Sequence, residues 1–325
     1  MRAVVVSDTG GPEKLVVQEL EEPEAGEGEV SIDVAFAGVG FVDTLFRSGA
    51  LPLKTPFVPG IEVTGQVRAV GANVSGFDVG QPVAALLNDF GRTQRAGGYA
   101  QVAIAHQAMT TVLGTDTDLP VVTGALINGV TAWLALHDSA VVSPADTVVV
   151  LGASGGLGGI TARLAAMVPC RRVVGVVSRD PARAPVQCTD VVLTDDLEQW
   201  LGDSGNVVDV VIDPVGGRLR RLLFDHLASF GRHVVLGNAS GEDIMFSSDS
   251  TWHGTRTLTG LSLGAIAHLR PETIKAALTA VVALVDRGLL AEPAPDVQPL
   301  SQVRHVHQAF DNRSAPAKTV LDVSR

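Results

Sequence analysis

The stretch Val148-Val149-Val150-Leu151-Gly152-Ala153-Ser154-Gly155-Gly156-Leu157-Gly158-Gly159 decides the fold. An unbroken Val/Leu run reads as a strand covered on both faces, and residues 160–167 behind the glycines read as a helix. A strand that feeds a glycine turn into a helix aims backbone N–H groups and the positive helix end at one point, an arrangement that suits a pyrophosphate. The turn here runs Ala153-x-Gly155-x-x-Gly158, with alanine where the usual fingerprint begins with glycine. Ala153, Ser154, Gly155, Gly156, Leu157 and Gly158 are therefore the candidate phosphate cradle.

The same residues also read as Gly-x-Ser-x-Gly, from Gly152 to Gly156, the nucleophile elbow of a hydrolase. Such an enzyme needs a later acid and histidine, and Asp213 with His253 or His268 could be nominated. The β-rich leader of about 120 residues and the additional Gly158 and Gly159 favour the phosphate cradle.

Downstream, apolar runs at 172–177, 207–212 and 233–236, with a further run at 257–263, alternate with helical stretches. That alternation predicts a doubly wound parallel α/β sheet. The second strand places its next residues beside the adenosine ribose, where an acidic side chain selects NAD and a cationic one accommodates a 2′-phosphate. Ser178-Arg179-Asp180-Pro181-Ala182-Arg183 follows. Arg179 and Arg183 favour NADPH through bidentate guanidinium–phosphate contact. Asp180 at the ribose position would return the choice to NAD.

Upstream, short β-like runs at 3–6, 30–36, 63–70, 82–86 and 99–104 are separated by Gly, Pro and Asn, and the first reads as an edge strand. A helical turn over 43–48 is expected, capped by Asp43 and closed by Gly49. Asn128 and Thr131 read as starting a helix, where capping competes with ligand contact. Beyond the sheet, a helix is expected over 271–286, a Pro-rich linker over 292–299, a short helix capped by Ser301 and a closing strand over 318–323.

The chain has 325 residues, 46% hydrophobic and 18% charged, which suits about two globular domains. A net charge of -11 argues against a nucleic-acid partner. No uninterrupted apolar run reaches the ~18 residues of a membrane span, the best being 276–285, and the start of the chain does not read as a secretory leader. Cys170 and Cys188, the only two cysteines, make neither a disulfide framework nor a structural zinc site. The expectation is a soluble, cytoplasmic protein with a small-molecule substrate. His305-x-His307 reads as an exposed helix feature, Asp43 as a cap or a partner of Arg47, and Glu62 as part of a structural hydrogen-bond network.

Markers in order along the chain then carry a resemblance. They include Gly10-Gly11-Pro12-Glu13, Gly40-Phe41-Val42-Asp43-Thr44, Pro59-Gly60-Ile61-Glu62-Val63-Thr64-Gly65, Gly97-Gly98-Tyr99-Ala100, the Ala153 turn, Asp213-Pro214-Val215-Gly216 and Gly237-Asn238-Ala239-Ser240-Gly241. With these the chain resembles the medium-chain dehydrogenase/reductase superfamily, in its zinc-independent quinone oxidoreductase (zeta-crystallin-like) branch. The resemblance implies a GroES-like catalytic domain over 1–121 and 265–325, with a Rossmann NADPH-binding domain over 122–264.

It also implies a homodimer, with the strand at 257–263 pairing across a two-fold axis. Zinc-bearing relatives have Cys and His where this chain has Gly40 and Ile61, so the resemblance implies no metal. It sets Phe41, Thr131, Gly237 and Asn238 near the nicotinamide, Ser178, Arg179 and Arg183 around the 2′-phosphate, and Lys318 closing the cofactor site. Gly40, Phe41, Leu51 and Asn128 are candidates for the substrate pocket, and no catalytic residue is assigned. The proton-donating Tyr of enoyl reductases is absent, Gly49-Ala50-Leu51-Pro52 standing in its region. That favours a quinone over an enone or enoyl acceptor, while a binding protein with little turnover remains a third reading.

Overall fold

The computed structural model describes residues 1–87, 97–291, 293–316 and 318–325. The chain divides into two units, Met1–Ile127 with Leu263–Arg325, and Asn128–Ser262. In the first unit, β1 (Arg2–Val6) pairs antiparallel with β2 (Leu15–Glu19). β3 (Glu29–Val39), β4 (Glu62–Val70), β5 (Pro82–Leu86), β6 (Val102–His106) and β7 (Thr110–Val112) belong to a larger sheet, in which β3 pairs antiparallel with both β4 and β6. Buried Val4, Val6, Ile32, Val63 and Val83 form its core with Tyr99.

Helix α1 (Phe41–Ser48) differs from expectation at its start. Its N-cap is Gly40, and Asp43 is the third helical residue, whose carboxylate reaches back to the Gly40 N–H at 2.8 Å. Gly49 closes the helix in the left-handed conformation, φ 84°. Helix α2 (Leu119–Leu134) begins well before Asn128 and Thr131, so neither caps it; Asp118 holds its first turn instead, by accepting from Val121 and Val122. With the π-helical turn Ala135–Ser139 it forms one 21-residue helix, long and apolar enough to cross a membrane by composition, although interspersed polar residues keep it from reading as an uninterrupted apolar run in the sequence. Of its most apolar window 61% is buried within the protein, and core packing accounts for that apolarity.

The second unit is a six-stranded parallel sheet. β8 (Thr147–Leu151), β9 (Arg172–Val177), β10 (Asp190–Leu193), β11 (Val208–Asp213), β12 (Leu227–Val235) and β13 (Thr257–Gly260) lie in the order β10-β9-β8-β11-β12-β13. This is the 3-2-1-4-5-6 order of a doubly wound nucleotide-binding fold, with its switch point between β8 and β11. Every residue of β8 is buried. Each of its Val and Leu side chains contributes about 1.5–3 kcal/mol of transfer free energy. Helices α3 (Gly156–Met167), α4 (Leu197–Gly202), α5 (Gly217–Asp225) and α6 (Ser248–Trp252) connect the strands.

The chain then returns to the first unit through α7 (Leu263–Ile266) and α8 (Pro271–Asp286). The expected linker over 292–299 contains a strand, β14 (Asp296–Pro299), parallel to β15 (Thr319–Asp322); its Glu292 lies outside the described residues. β15 joins β3 and completes the sheet order β14-β15-β3-β4-β5-β7. Ser301 sits inside a 3-10 turn, Leu300–Gln302, and Gln302 caps α9 (Val303–Asp311). Val303 and Val306 bury that helix against the core of β1 and β3.

Candidate dinucleotide site

The glycine turn leaves β8 at Gly152, φ 65°, and enters α3 with Gly155 as N-cap. Ala153 is buried and its N–H donates to Val176 O across to β9 at 3.0 Å, which locks the turn to the neighbouring strand. No side chain caps α3 and no acidic residue occupies its first turn. The N–H groups of Gly156, Leu157 and Gly158 therefore project from a positive helix end and have no carbonyl acceptor among the described residues. A Cβ on Gly158 would stand 2.2 Å from Gly152 O and 2.8 Å from Leu151 O. Only glycine lets helix and strand approach this closely, the role the third glycine plays in a dinucleotide turn.

Ser178, Arg179 and Arg183 are exposed beyond the end of β9, Arg179 just before a 3-10 turn, Pro181–Arg183, and Arg183 closing it. The Asp180 carboxylate accepts from Ala182 N at 3.0 Å and caps that turn. Neither guanidinium has a hydrogen-bond or ion-pair partner among the described residues. The local fold thus commits the carboxylate and leaves two cations uncommitted.

At the ends of β11 and β12 lies a cluster the sequence did not announce. Asp213 Oδ1 accepts from the Val215 and Gly216 N–H groups at 2.8 and 2.7 Å. Its Oδ2 accepts from Arg220 Nε at 2.5 Å and His233 Nε2 at 3.0 Å. Burial pushes the carboxyl up, but hydrogen bonds from His233, Arg220 and Gly216 outweigh it and hold Asp213 below the usual carboxylate range. The nominated hydrolase acid is thereby committed to Arg220 and His233, while His253 is exposed with its ring tilted 45° against that of Trp252. Gly237 and Asn238 follow β12 within this region. The only sequence signal for the cluster was an arginine seven residues after Asp213.

In the first unit, Gly40 is half-buried, and Phe41 and Leu51 are 43% and 40% exposed. Asp43, fully buried, accepts from Gly40 N and from Gly60 N at 3.0 Å and so fixes both backbones. Burial pushes its carboxyl up to about 6 despite those two hydrogen bonds. The expected Asp43–Arg47 pair does not form; Arg47 pairs with Asp311 of α9 at 2.8 Å. Lys318, set near the cofactor by resemblance, donates to Val39 O at 3.2 Å and is ion-paired with Glu62. Glu62 also accepts from Ile127 N at 2.8 Å, the structural network expected of it.

His307 is buried, not exposed, and meets the Tyr99 hydroxyl at 3.2 Å; burial pulls its imidazole down to about 3. In the second unit Asn128 and Thr131 are half-buried on α2. No group of three or more His, Cys, Asp or Glu side chains able to hold a metal occurs among the described residues, and Ile61 is buried and apolar. The residues present do not fit a catalytic zinc site.

Sheet order and glycine turn together define a dinucleotide-binding chain of the medium-chain dehydrogenase type. Residues 26–151 match the alcohol dehydrogenase GroES-like domain, and residues 187–321 match the zinc-binding dehydrogenase family. The quinone oxidoreductase of Lama guanicoe is 31% identical over 99% of this chain and 97% of that one. A 2-haloacrylate reductase of Burkholderia is 28% identical, over 98% of each chain. Among solved structures, a mycobacterial protein in complex with NADPH aligns with a TM-score of 0.88 at 28% identity, over 99% of each chain. The chain belongs to the zeta-crystallin-like quinone oxidoreductase branch of the medium-chain dehydrogenase/reductase superfamily.

Proposed function

We propose that the protein is an NADPH-dependent oxidoreductase that reduces a quinone without a metal. One observation carries the reading: a glycine turn that tolerates no Cβ at Gly158, followed one strand later by two uncommitted guanidiniums. The N–H groups of Gly156, Leu157 and Gly158 would hold the pyrophosphate, and Ser178, Arg179 and Arg183 the 2′-phosphate, with Ala153, Ser154 and Gly155 shaping the turn. Thr131, Gly237 and Asn238 are assigned to the nicotinamide end, and Lys318 to the closure of the site through its hold on Glu62. Gly40, Phe41, Leu51 and Asn128 are assigned to the acceptor. Residues 1–121 with 265–325 serve as the catalytic domain, and 122–264 as the cofactor domain.

Bound NADPH supplies a hydride, and with one proton from water the quinone becomes a hydroquinone as NADP+ is released. The chain's own task is to orient the acceptor and keep its surroundings dry. Tyr99, the only tyrosine, is buried against His307 and is not available as a proton donor. A quinone suits that absence, because the hydroquinone anion is stabilised until solvent protonates it.

The 28% identical 2-haloacrylate reductase favours a second reading, hydride delivery to the β-carbon of an α,β-unsaturated carbonyl with the proton going to the α-carbon. NADPH oxidation against a panel of quinones and enones, with NADH in parallel and chelator added, separates the two. Quinone turnover that prefers NADPH and ignores chelator supports the first reading; enone turnover alone selects the second, and inhibition by chelator overturns the metal-free assignment. We further place the protein in the cytoplasm as a homodimer, which two free cysteines and the edge of β13, unpaired among the described residues, support. Light scattering of the purified chain tests the dimer.

A further inference from the structure

We propose that Arg220 is a positioning residue for hydride transfer: through Asp213 it fixes the Gly237–Asn238 turn against the nicotinamide end of the cofactor. The inference rests on the NADPH reading above and deepens it. Arg220 is 6% exposed and Asp213 and His233 are fully buried, so three polar side chains occupy the C-terminal edge of the sheet where apolar packing would be the default. Their hydrogen bonds converge on Asp213 at the end of β11, and Arg220 alone of the three reaches the loop after β12.

Arg220 donates from Nε to Asp213 and from Nη2 to Gly237 O, the latter at 2.5 Å. One planar guanidinium thus ties the end of β11 to the start of the loop. Asp213 meanwhile fixes the Val215 and Gly216 N–H groups, which orients the 214–216 backbone. That backbone receives the loop in turn: Ala239 N donates to Pro214 O at 3.2 Å and Ser240 N to Val215 O at 2.8 Å. Gly216, φ 82°, completes the seat, since a Cβ there would lie 2.2 Å from Asn238 Oδ1. His233, four residues before Gly237, closes the circuit from within β12 by meeting Asp213 with Nε2.

The backbone groups that this circuit restrains lie in residues 214–216 after β11 and 237–240 after β12. None of its bonds reaches the 152–158 turn or residues 178–183, which the reading gives to the pyrophosphate and 2′-phosphate. Loosening the circuit therefore misplaces the nicotinamide end and leaves the adenosine end as it was. A displacement of about 1 Å at the reacting centre costs on the order of 100-fold in rate.

The experiment compares wild type, Arg220→Met and Arg220→Lys with three readouts: affinity for 2′,5′-ADP by calorimetry, the single-turnover rate of NADPH oxidation by 1,4-benzoquinone, and face selectivity with NADPH deuterated at the 4R or 4S position. The expected result for Arg220→Met is transfer slowed about 10- to 100-fold and relaxed face selectivity, with 2′,5′-ADP affinity within about twofold. Arg220→Lys keeps the charge beside Asp213 without the fork and shows the same pattern, less pronounced. It serves as the deciding variant if Arg220→Met does not fold. A merely structural role would lower the active fraction and leave the face selectivity intact. Unchanged rate and selectivity in a folded variant, or 2′,5′-ADP affinity falling in step with rate, overturns the inference. Wild type that neither binds nor oxidises NADPH instead overturns the reading beneath it.

Discussion

Lys318 and Glu62, 256 residues apart in the chain, meet as a buried ion pair in the first unit, their side chains 10% and 1% exposed. Lys318 precedes β15 and Glu62 begins β4, so the pair ties the returning tail to the N-terminal sheet. Gly38 on β3 makes the approach possible, because a Cβ there would stand 2.3 Å from Glu62 Oε1. Lys318→Met leaves the Glu62 charge buried and unpaired, at an expected cost of about 3–5 kcal/mol in urea unfolding. Glu62→Gln introduced alongside it recovers part of that loss. Undiminished stability together with lost NADPH affinity would instead give Lys318 a direct cofactor role.

Gly158→Ala puts a methyl group where Gly152 O already stands, and α3 must withdraw from β8 to admit it. NADPH affinity, read by the fluorescence of the reduced nicotinamide, is expected to fall at least about 10-fold. Gly202→Ala, whose Cβ meets nothing within 4 Å, serves as the control and leaves affinity unchanged.

Arg179→Glu with Arg183→Glu reverses two uncommitted charges beside the adenosine end. The ratio of kcat/KM for NADPH over NADH should collapse toward or below one, chiefly through KM for NADPH. An unaltered ratio removes the account of the 2′-phosphate site.

His307 gives the protein a defined acid sensitivity. An unfolded histidine takes up a proton near pH 6.5, whereas in the folded chain burial delays uptake to about 3. Between those values the unfolded state holds more protons, so this contribution to stability is full above about pH 6.5 and lost as pH falls. Asp43 works in the opposite sense. Its folded value of about 6 lies above the ordinary 3.8, so its contribution is full at low pH and lost as pH rises through about 6. His307→Gln removes only the first effect. Between pH 6 and 4 the slopes of unfolding free energy against pH for wild type and variant are expected to differ by about 1.4 kcal/mol per pH unit. Superimposable slopes contradict the placement of His307.

How much the sequence disclosed depended on whether a feature was local. β5, β8, β9 and α8 lie where the apolar patterns placed them, because continuous Val/Leu runs and a Pro-led amphipathic helix carry their own periodicity. β14 carries no strand signal of its own, because the prolines in and before it mark a linker and the four-residue strand takes its identity only from pairing with β15. The burial of His307 is invisible in the local pattern, because its partner, Tyr99, is 208 residues away. At the candidate site the glycine turn was legible, since the chemistry sits in consecutive residues. The Asp213–Arg220–His233 cluster was not, because its geometry arises only when β11 and β12 lie side by side.

The central claim is that the 152–158 turn grips the pyrophosphate of NADPH, and a crystal structure of the chain grown with NADPH tests it most directly. The account predicts pyrophosphate oxygens within about 3 Å of the Gly156–Gly158 N–H groups, with the 2′-phosphate between Arg179 and Arg183. Density for NADPH elsewhere, or a dinucleotide lying across the turn with its phosphates away from those N–H groups, contradicts it.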